Sequence, residues 1–491
     1  MRLRFLLAWI GAAAMLATPS AAQRLERNLW PVKVTEYSPA GAVQSWEAAG
    51  PLIFRQPLDG GGFAEGLRPL YLHKRNGDGT TETSFLYPIL VFRTDQVSHR
   101  WSLLQLVNFM GPGAGPPAER PDRGFDVWPF YFSRETGSPA TSYHALFPIA
   151  GTIKNRLFND RATWLLFPLY LRTVNRGVIA DSYLWPIGRV IHGAGHEGFA
   201  VWPLIGRRGQ AGVSSSDYYL WPLIYRRVTQ LDQPVPDESY GFLPFYAREH
   251  SADVIGETYL FPFFGYMHRT APYRYDETRY FWPLFVQGRG DRYRNRWAPF
   301  YTHSIVKGLD KTWVLWPLYR QQHWTDDGRV LQRRTQFFYF LYWSLRETSL
   351  VNPRAAPAVK THVWPFYSVW DNGAGRRQLQ VLSPIEVFFP HNENMRLLWS
   401  PLFAFYRFDQ RSPDDVRHSV FFDLITWRRR GAHREFHLGP LFSRVSGPAT
   451  ARVSVGHGLL GLERGPRGWR PFWFDFSAKS GDRSAQTAAI H

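Results

Sequence analysis

Along this chain a proline recurs at the centre of a short apolar, aromatic run, and that placement excludes most folds at once. The clearest copy is Asp217–Arg227, DYYLWPLIYRR, with Trp221-Pro222 in its middle. From Trp128 onward the motif prolines are Pro129, Pro148, Pro168, Pro186, Pro203, Pro222, Pro244, Pro262, Pro283, Pro299 and Pro317, at intervals of 16 to 22 residues. Pro365 follows after a proline-free copy, Phe337–Trp343. A helix interior does not survive a proline in every copy, because the ring removes a donor and clashes with the preceding turn. Self-similarity at a fixed period makes the repeat the first thing to settle.

The repeat unit reads as a strand. Each apolar run is strand-sized, rich in Trp, Tyr, Phe, Val and Ile, and bounded by turn residues such as Asp326-Asp327-Gly328. Earlier copies lie at Trp30-Pro31, Pro51, Pro69 and Pro88, and later ones at Ser383-Pro384, Ser400-Pro401, Phe421–Ile425 and Gly439-Pro440. With degenerate copies this gives about 24 units of about 19 residues. The expectation is therefore all-β: a repetitive antiparallel sheet of about 24 proline-containing strands, closed into a large barrel. Proline cannot donate to a ladder, so either a belt of bulges or a new half-strand at each proline is required, and bulges are the favoured reading. In Tyr219–Arg226, strict alternation places Tyr219, Trp221, Leu223 and Tyr225 on one face and Leu220, Pro222, Ile224 and Arg226 on the other, so both faces look apolar.

Two other architectures fit a unit of this length. A β-propeller would cover both strand faces, and a parallel β-solenoid would use one coil per unit. Most copies end in a basic residue just past the proline: Arg55, His73, Arg93, Arg172, Arg207, Arg226, Arg248 and Arg320. Parallel coils would stack these into a like-charge column, whereas one antiparallel strand per unit would send them alternately to opposite rims. The solenoid ranks last for that reason.

Residues 1–22 read as a secretory signal peptide, with Arg2 and Arg4, the apolar run Phe5–Leu16 and the small-residue site Ser20-Ala21-Ala22 before Gln23. A single repetitive domain is expected over 23–476, with a polar, disordered tail at 477–491. The chain has no cysteine, which excludes disulfides, thiolate metal sites and thiol catalysis. Its formal charge of +18 favours polyanionic partners. Export favours outer-membrane lipids or an anionic envelope glycan over nucleic acid. In its exported N-terminus, lack of cysteine, aromatic richness and strand-sized repeat the sequence resembles outer-membrane β-barrel proteins as a class. It departs from them in carrying a proline in nearly every unit.

Candidate functional residues are few. Arg428, Arg429, Arg430 and Arg434 form the densest basic stretch and could contact lipid or glycan phosphates. His192, His196 and Glu197 are the nearest approach to a metal cluster, but they occupy a glycine-rich turn and lack a third ligand of suitable spacing. Asp326-Asp327 and Asp414-Asp415 are paired carboxylates beside Gly328 and Pro413, where aspartate commonly serves turn geometry. No catalytic, cofactor or metal residue is assigned. The expectation is a non-enzymatic cell-envelope protein, an outer-membrane barrel with a structural, transport or lipid- or glycan-binding role. The alternatives are a periplasmic or secreted propeller-like protein binding an anionic polysaccharide and, third, a glycan hydrolase.

Overall fold

The computed structural model describes residues 25–476 apart from 39, 59, 114, 116–121, 449 and 466–467, so the signal-peptide and tail expectations lie outside the described residues. The chain forms two compact units: one from residues up to Asp78 together with those from Ala356, the other from Gly79–Ala355. Both are all-β. Among the described residues there are 45 strands of four to eight residues, each pairing antiparallel with its chain neighbours inside its unit. Antiparallel pairing throughout overturns the parallel solenoid.

The proline is not inside a strand. Ser214–Tyr219 and Ile224–Thr229 are separate strands, and Leu220-Trp221-Pro222-Leu223 is the tight turn between them. All twelve motif prolines from Pro129 to Pro365 occupy such turns, and each follows a cis peptide bond. The belt of bulges is therefore corrected, and each unit contributes two strands rather than one. The proline-free copies reverse at the equivalent places, Phe338–Leu341 and Phe421–Leu424, but through successive residues with positive φ, Phe338 and Tyr339 in one and Phe421, Phe422 and Asp423 in the other.

Backbone accounting explains why proline is tolerated there. In the turn at Pro222, the Leu223 N–H donates to Leu220 O at 2.8 Å. The Leu220 and Trp221 N–H groups donate instead to Leu204 O and Pro203 O of the preceding turn, both at 2.7 Å. Every N–H present has a partner, and the one that proline lacks is not needed. The same bonds recur from Trp185 to Pro168 O, Phe167 to Pro148 O, Trp316 to Pro299 O and, in the first unit, Ser383 to Pro365 O, at 2.7 to 2.8 Å. Successive turns thus lie side by side along one edge, while the Gly-, Asn- and Asp-rich connections lie along the other.

Reversal at the proline also changes which residues share a face. Tyr218 stands opposite Tyr225, and Tyr219 opposite Ile224, because directly opposed residues project to the same side. The simple alternation expected through Pro222 therefore does not hold. Arg172, Arg207, Arg226 and Arg248 do not alternate between rims either. Register carries them along one row of one face, through Asp181, Val190, Phe199, Asp217, Tyr240 and Glu257.

The opposite face is the more crowded one. Its row runs Trp164, Leu171, Ser182, Arg189, Ala200, Gly206, Tyr218, Tyr225, Gly241, Ala247 and Thr258. Small residues alternate with large rings: a Cβ on Gly206 would fall 2.1 Å from the Tyr218 ring, and one on Gly241 2.4 Å from the Tyr225 ring. On this same face a cavity of about 590 Å³ is bounded by residues of successive strands, among them Val91, Ser102, Asn108, Asp126 and Tyr143. The second unit's tightest packing also lies on this face, around Tyr143, Ala145, Ile153, Ala162 and Trp164.

The units expected at Ser383-Pro384 and Ser400-Pro401 are not hairpins. Between the strands Arg377–Val381 and Tyr406–Ser412 the chain leaves the sheet for a short helix, Glu393–Leu398, flanked by 3-10 turns at Glu386–Phe388 and Ser400–Phe403. Asn392 caps the helix by accepting from Met395 N, and Leu397 and Leu398 are buried.

Gly241→Val should destabilise the second unit by about 1–3 kcal/mol through overpacking against Tyr225. Urea denaturation checks this, and Tyr225→Ala in the same chain should recover most of the loss.

Candidate functional site

The stacked turns present their side chains outward. In the second unit Trp185, Leu220, Phe245, Phe300 and Trp316 are between 48% and 62% exposed, and Trp128, Leu166, Leu204 and Leu315 resemble them. Because every proline turn in this unit lies on the same edge, these side chains form an apolar rim from Trp128 to Trp316. With two strands per turn and strands spaced about 4.8 Å apart, the rim runs on the order of 100 Å along the sheet edge. A contiguous exposed apolar surface of that size marks a contact surface.

Two residues into the strands from the rim, charges begin. Arg172 pairs with Asp181 at 2.6 Å, Arg207 with Asp217 at 3.0 Å and Arg226 with Glu238 at 2.8 Å. Arg248 and Glu257 approach to 3.9 Å. Tyr170 donates to Asp181 at 2.6 Å, and Tyr pairs such as Tyr170–Tyr183 and Tyr246–Tyr259 lie between charges and rim. Burial would raise the Asp181 carboxyl, but the Arg172 and Tyr170 hydrogen bonds outweigh it and hold it low. The order from the edge inward is aliphatic and indole, then tyrosine, then ion pairs.

The basic stretch expected to act together is divided by the strand that carries it. Arg428 and Arg430 project to one face of Ile425–Arg430, whereas Arg429 stands opposite Arg434 on the other. Arg428 is buried and holds both Asp415 oxygens at 3.0 Å and Glu36 Oε2 at 3.0 Å. Arg430 also reaches Asp415 at 3.0 Å and donates to Tyr37 O at 3.2 Å. Only Arg429 and Arg434 remain as an exposed pair, and Arg429 donates to Pro413 O at 3.3 Å.

Arg428 belongs to a buried charge cluster that joins the two chain segments of the first unit. Fully buried Glu26 accepts from Arg417 Nε at 2.8 Å and from Thr426 Oγ1 at 2.6 Å. The Leu25 and Glu26 N–H groups donate to the two oxygens of Glu435 at 2.6 and 2.8 Å. Glu36 meets Arg411 at 2.7 Å, and Arg417 meets Asp423 at 3.0 Å. Burial pushes the Glu36 carboxyl up, but Arg411, Arg417 and Arg428 outweigh it and hold it well below the usual range. Glu26 is likewise held low against its burial, chiefly by Arg417. For Asp423 burial prevails over Arg417 and raises the carboxyl to about 6. No local pattern marks this cluster in the sequence, because its two halves lie roughly 400 positions apart, as Glu26 and Thr426 do.

The remaining candidates separate in space. His192 faces Glu197 across its hairpin while His196 faces Gly193, so the two histidines project to opposite sides. Among the described residues no group of three or more His, Asp or Glu side chains is placed to hold a metal ion. Asp327 occupies a turn with φ near +46°. Asp414 is also in a turn, but Asp415 opens a strand and is bound by Arg428 and Arg430, correcting its reading as a turn residue. No family model and no curated protein matches the chain.

Glu36→Gln should cost about 3–5 kcal/mol near neutrality by removing the carboxylate paired with Arg411 and leaving Arg428 with Asp415 alone. The sign with pH follows from the depressed carboxyls. Stability from Glu26 and Glu36 is complete above the usual glutamate value of 4.5 and is lost as pH falls below it. Urea midpoints measured across acid pH should therefore fall for the native chain, and less steeply for Glu36→Gln.

Proposed function

We propose that this chain is a non-enzymatic protein of the cell envelope that works against a membrane surface, with its rim of stacked proline turns seated among lipid headgroups and upper acyl chains. The observation that carries this reading is the rim: exposed apolar side chains at every motif turn along one edge, against connections on the other that are mainly polar, Leu157 and Phe158 being the chief exceptions. The order of side chains behind the rim supports it. Aliphatic and indole groups suit the acyl boundary, tyrosines the interface, and ion pairs the aqueous side.

Strand length favours edge-on seating over a spanning barrel. A membrane-spanning strand needs about 9–11 residues. These strands have four to eight, and their exposed apolar side chains gather at the turns rather than at mid-strand. Removing half of one Trp and one Leu from water per turn contributes on the order of 1–2 kcal/mol. A few turns acting together therefore suffice for adsorption. The reading of residues 1–22 as a signal peptide favours the outer membrane as the location of this surface, with the periplasm as the alternative compartment. The partners are envelope lipids, with an anionic glycan as the second candidate.

Flotation with vesicles of zwitterionic and anionic phospholipid tests the reading. The mature chain should float with lipid. Replacing Trp185, Trp202 and Trp221 together by Asp should lower the floating fraction at least tenfold while the far-ultraviolet spectrum is unchanged. A wild-type chain that stays in the soluble fraction, or a folded triple variant that floats equally well, would reject it.

A further inference from the structure

On the crowded face of the second unit, near the end of its meander, basic and aromatic side chains gather with too few acids. Register places Arg296, Thr302, Trp313, Arg320, Gln336 and Trp343 in one row across successive strands. The next row on the same face holds Arg294, Ser304, Lys311, Gln322 and Arg334. Neighbours within a row are about 5 Å apart and the rows about 7 Å apart, so five cations share a patch a few residues wide. Among the described residues no ion pair joins Arg296, Lys311, Arg320 or Arg334 to an acid. Glu277, the carboxylate that reaches this group, is already engaged by Arg279 at 2.8 Å, Arg294 at 3.4 Å and Tyr275 at 2.7 Å. Glu347 and Asp326, on the same face, pair with none of them.

Indole faces, rather than carboxylates, hold Lys311, Arg320 and Arg334, while Arg296 donates to Pro283 O at 3.0 Å. Arg320 and Lys311 lie 4.9 and 5.5 Å from the Trp313 ring centre, and Arg334 lies 5.1 Å from Trp324 and 5.9 Å from Trp343. The Nε atoms of Arg320 and Arg334 are buried with no hydrogen-bond partner. Burial lowers the proton affinity of Arg296, Lys311, Arg320 and Arg334, and like-charged neighbours add to it at Arg296, Lys311 and Arg320. Elsewhere on this sheet an arginine row is matched one for one by acids, as at Arg172, Arg207 and Arg226. A half-buried cation cluster without counter-charge is unfavourable alone and is relieved by an anion with several acceptor oxygens.

We propose that Arg296, Lys311, Arg320 and Arg334, floored by Trp313, Trp324 and Trp343, form a binding site for a phosphate-bearing group. The phosphoryl oxygens accept from the guanidinium and ammonium N–H groups of these side chains, and the indoles pack against whatever apolar or sugar moiety carries the phosphate. The site lies on the face of the sheet, not in the apolar rim, so it stands or falls separately from membrane seating.

Calorimetric titration of the full mature chain tests this with three soluble probes: dihexanoyl phosphatidic acid below its micellar concentration, dihexanoyl phosphatidylcholine, and inorganic phosphate. Binding of phosphatidic acid, with phosphatidylcholine at least tenfold weaker, supports the site. Inorganic phosphate binding equally well supports a site for free phosphoryl groups, and its failure to bind supports one for a lipid headgroup. Arg320→Gln with Arg334→Gln should weaken phosphatidic acid at least tenfold. Arg333→Gln, on the same strand but the opposite face, should leave it unchanged. The double variant should melt no lower than the native chain without ligand, since it removes like charges. No heat from either phosphate probe overturns the proposal, as does equal weakening by Arg333→Gln. If the double variant does not fold, Lys311→Gln with the native thermal shift on phosphatidic acid decides, and an unaltered shift overturns it.

Discussion

The whole architecture hangs on hydrogen bonds repeated from turn to turn, from the N–H of the residue before a motif proline to the turn one unit earlier. The acceptor is either that turn's proline carbonyl or the carbonyl of the residue after that proline, as from Trp202 to Ile187 and Leu243 to Leu223. Trp221 to Pro203 and Trp185 to Pro168 are examples of the first kind, both at 2.7 Å. Strand ladders hold neighbours in register, but these bonds continue the ladder through the turns, where a meander would otherwise fray. They also explain the motif. Proline supplies an acceptor where no donor is needed, and the flanking indole and leucine, displaced outward by the turn, are free to meet something other than the protein. In the first unit the role of final closure passes to a different interaction. Glu26, Glu36 and Glu435 take up Arg417, Arg428 and the first strand's own N–H groups, joining segments from opposite ends of the chain.

Much of this was legible in the residues. The all-β class followed from the central prolines, the period from their spacing, and the equivalence of proline-free copies from Phe337–Trp343, where the chain reverses at the corresponding place. What misled was scale. A nine-residue apolar run looks like one strand, but in Tyr218–Arg226 it is the end of one strand, a turn and the start of another. Period-two alternation cannot register a reversal inside the window, so faces and strand count were both misread. Leu220, with φ near +47°, is the residue that reverses the chain, and leucine carries no sequence signal for a left-handed backbone. The helical excursion was hidden in a similar way, because Ser383-Pro384 and Ser400-Pro401 imitate the motif while Asn392 and the run to Leu398 cap and fill a helix.

Charge showed a comparable split between what pattern reveals and what only geometry can. The run Arg428–Arg430 looked like one patch, yet strand alternation sends its middle member to the other side and commits the outer two to Asp415 and Glu36. The unmatched cations were overlooked because Arg296, Lys311, Arg320 and Arg334 are spread over four strands, and only register brings them together. Asp310 stands beside Lys311 in sequence, but strand alternation sends it to the opposite face. Lack of acids across the sheet was not readable in sequence.

That each unit carries two strands has a consequence for how such a chain can change in length. Adding or deleting a whole unit moves every later turn along the edge but keeps it on that edge, with the ion-paired row and the crowded face undisturbed. Adding a single strand would transfer all later apolar turns to the polar edge. Lineages of this sheet should therefore grow and shrink by pairs of strands, and the variation of 16 to 22 residues between prolines belongs to the polar connections and strand ends, where length is cheapest to alter.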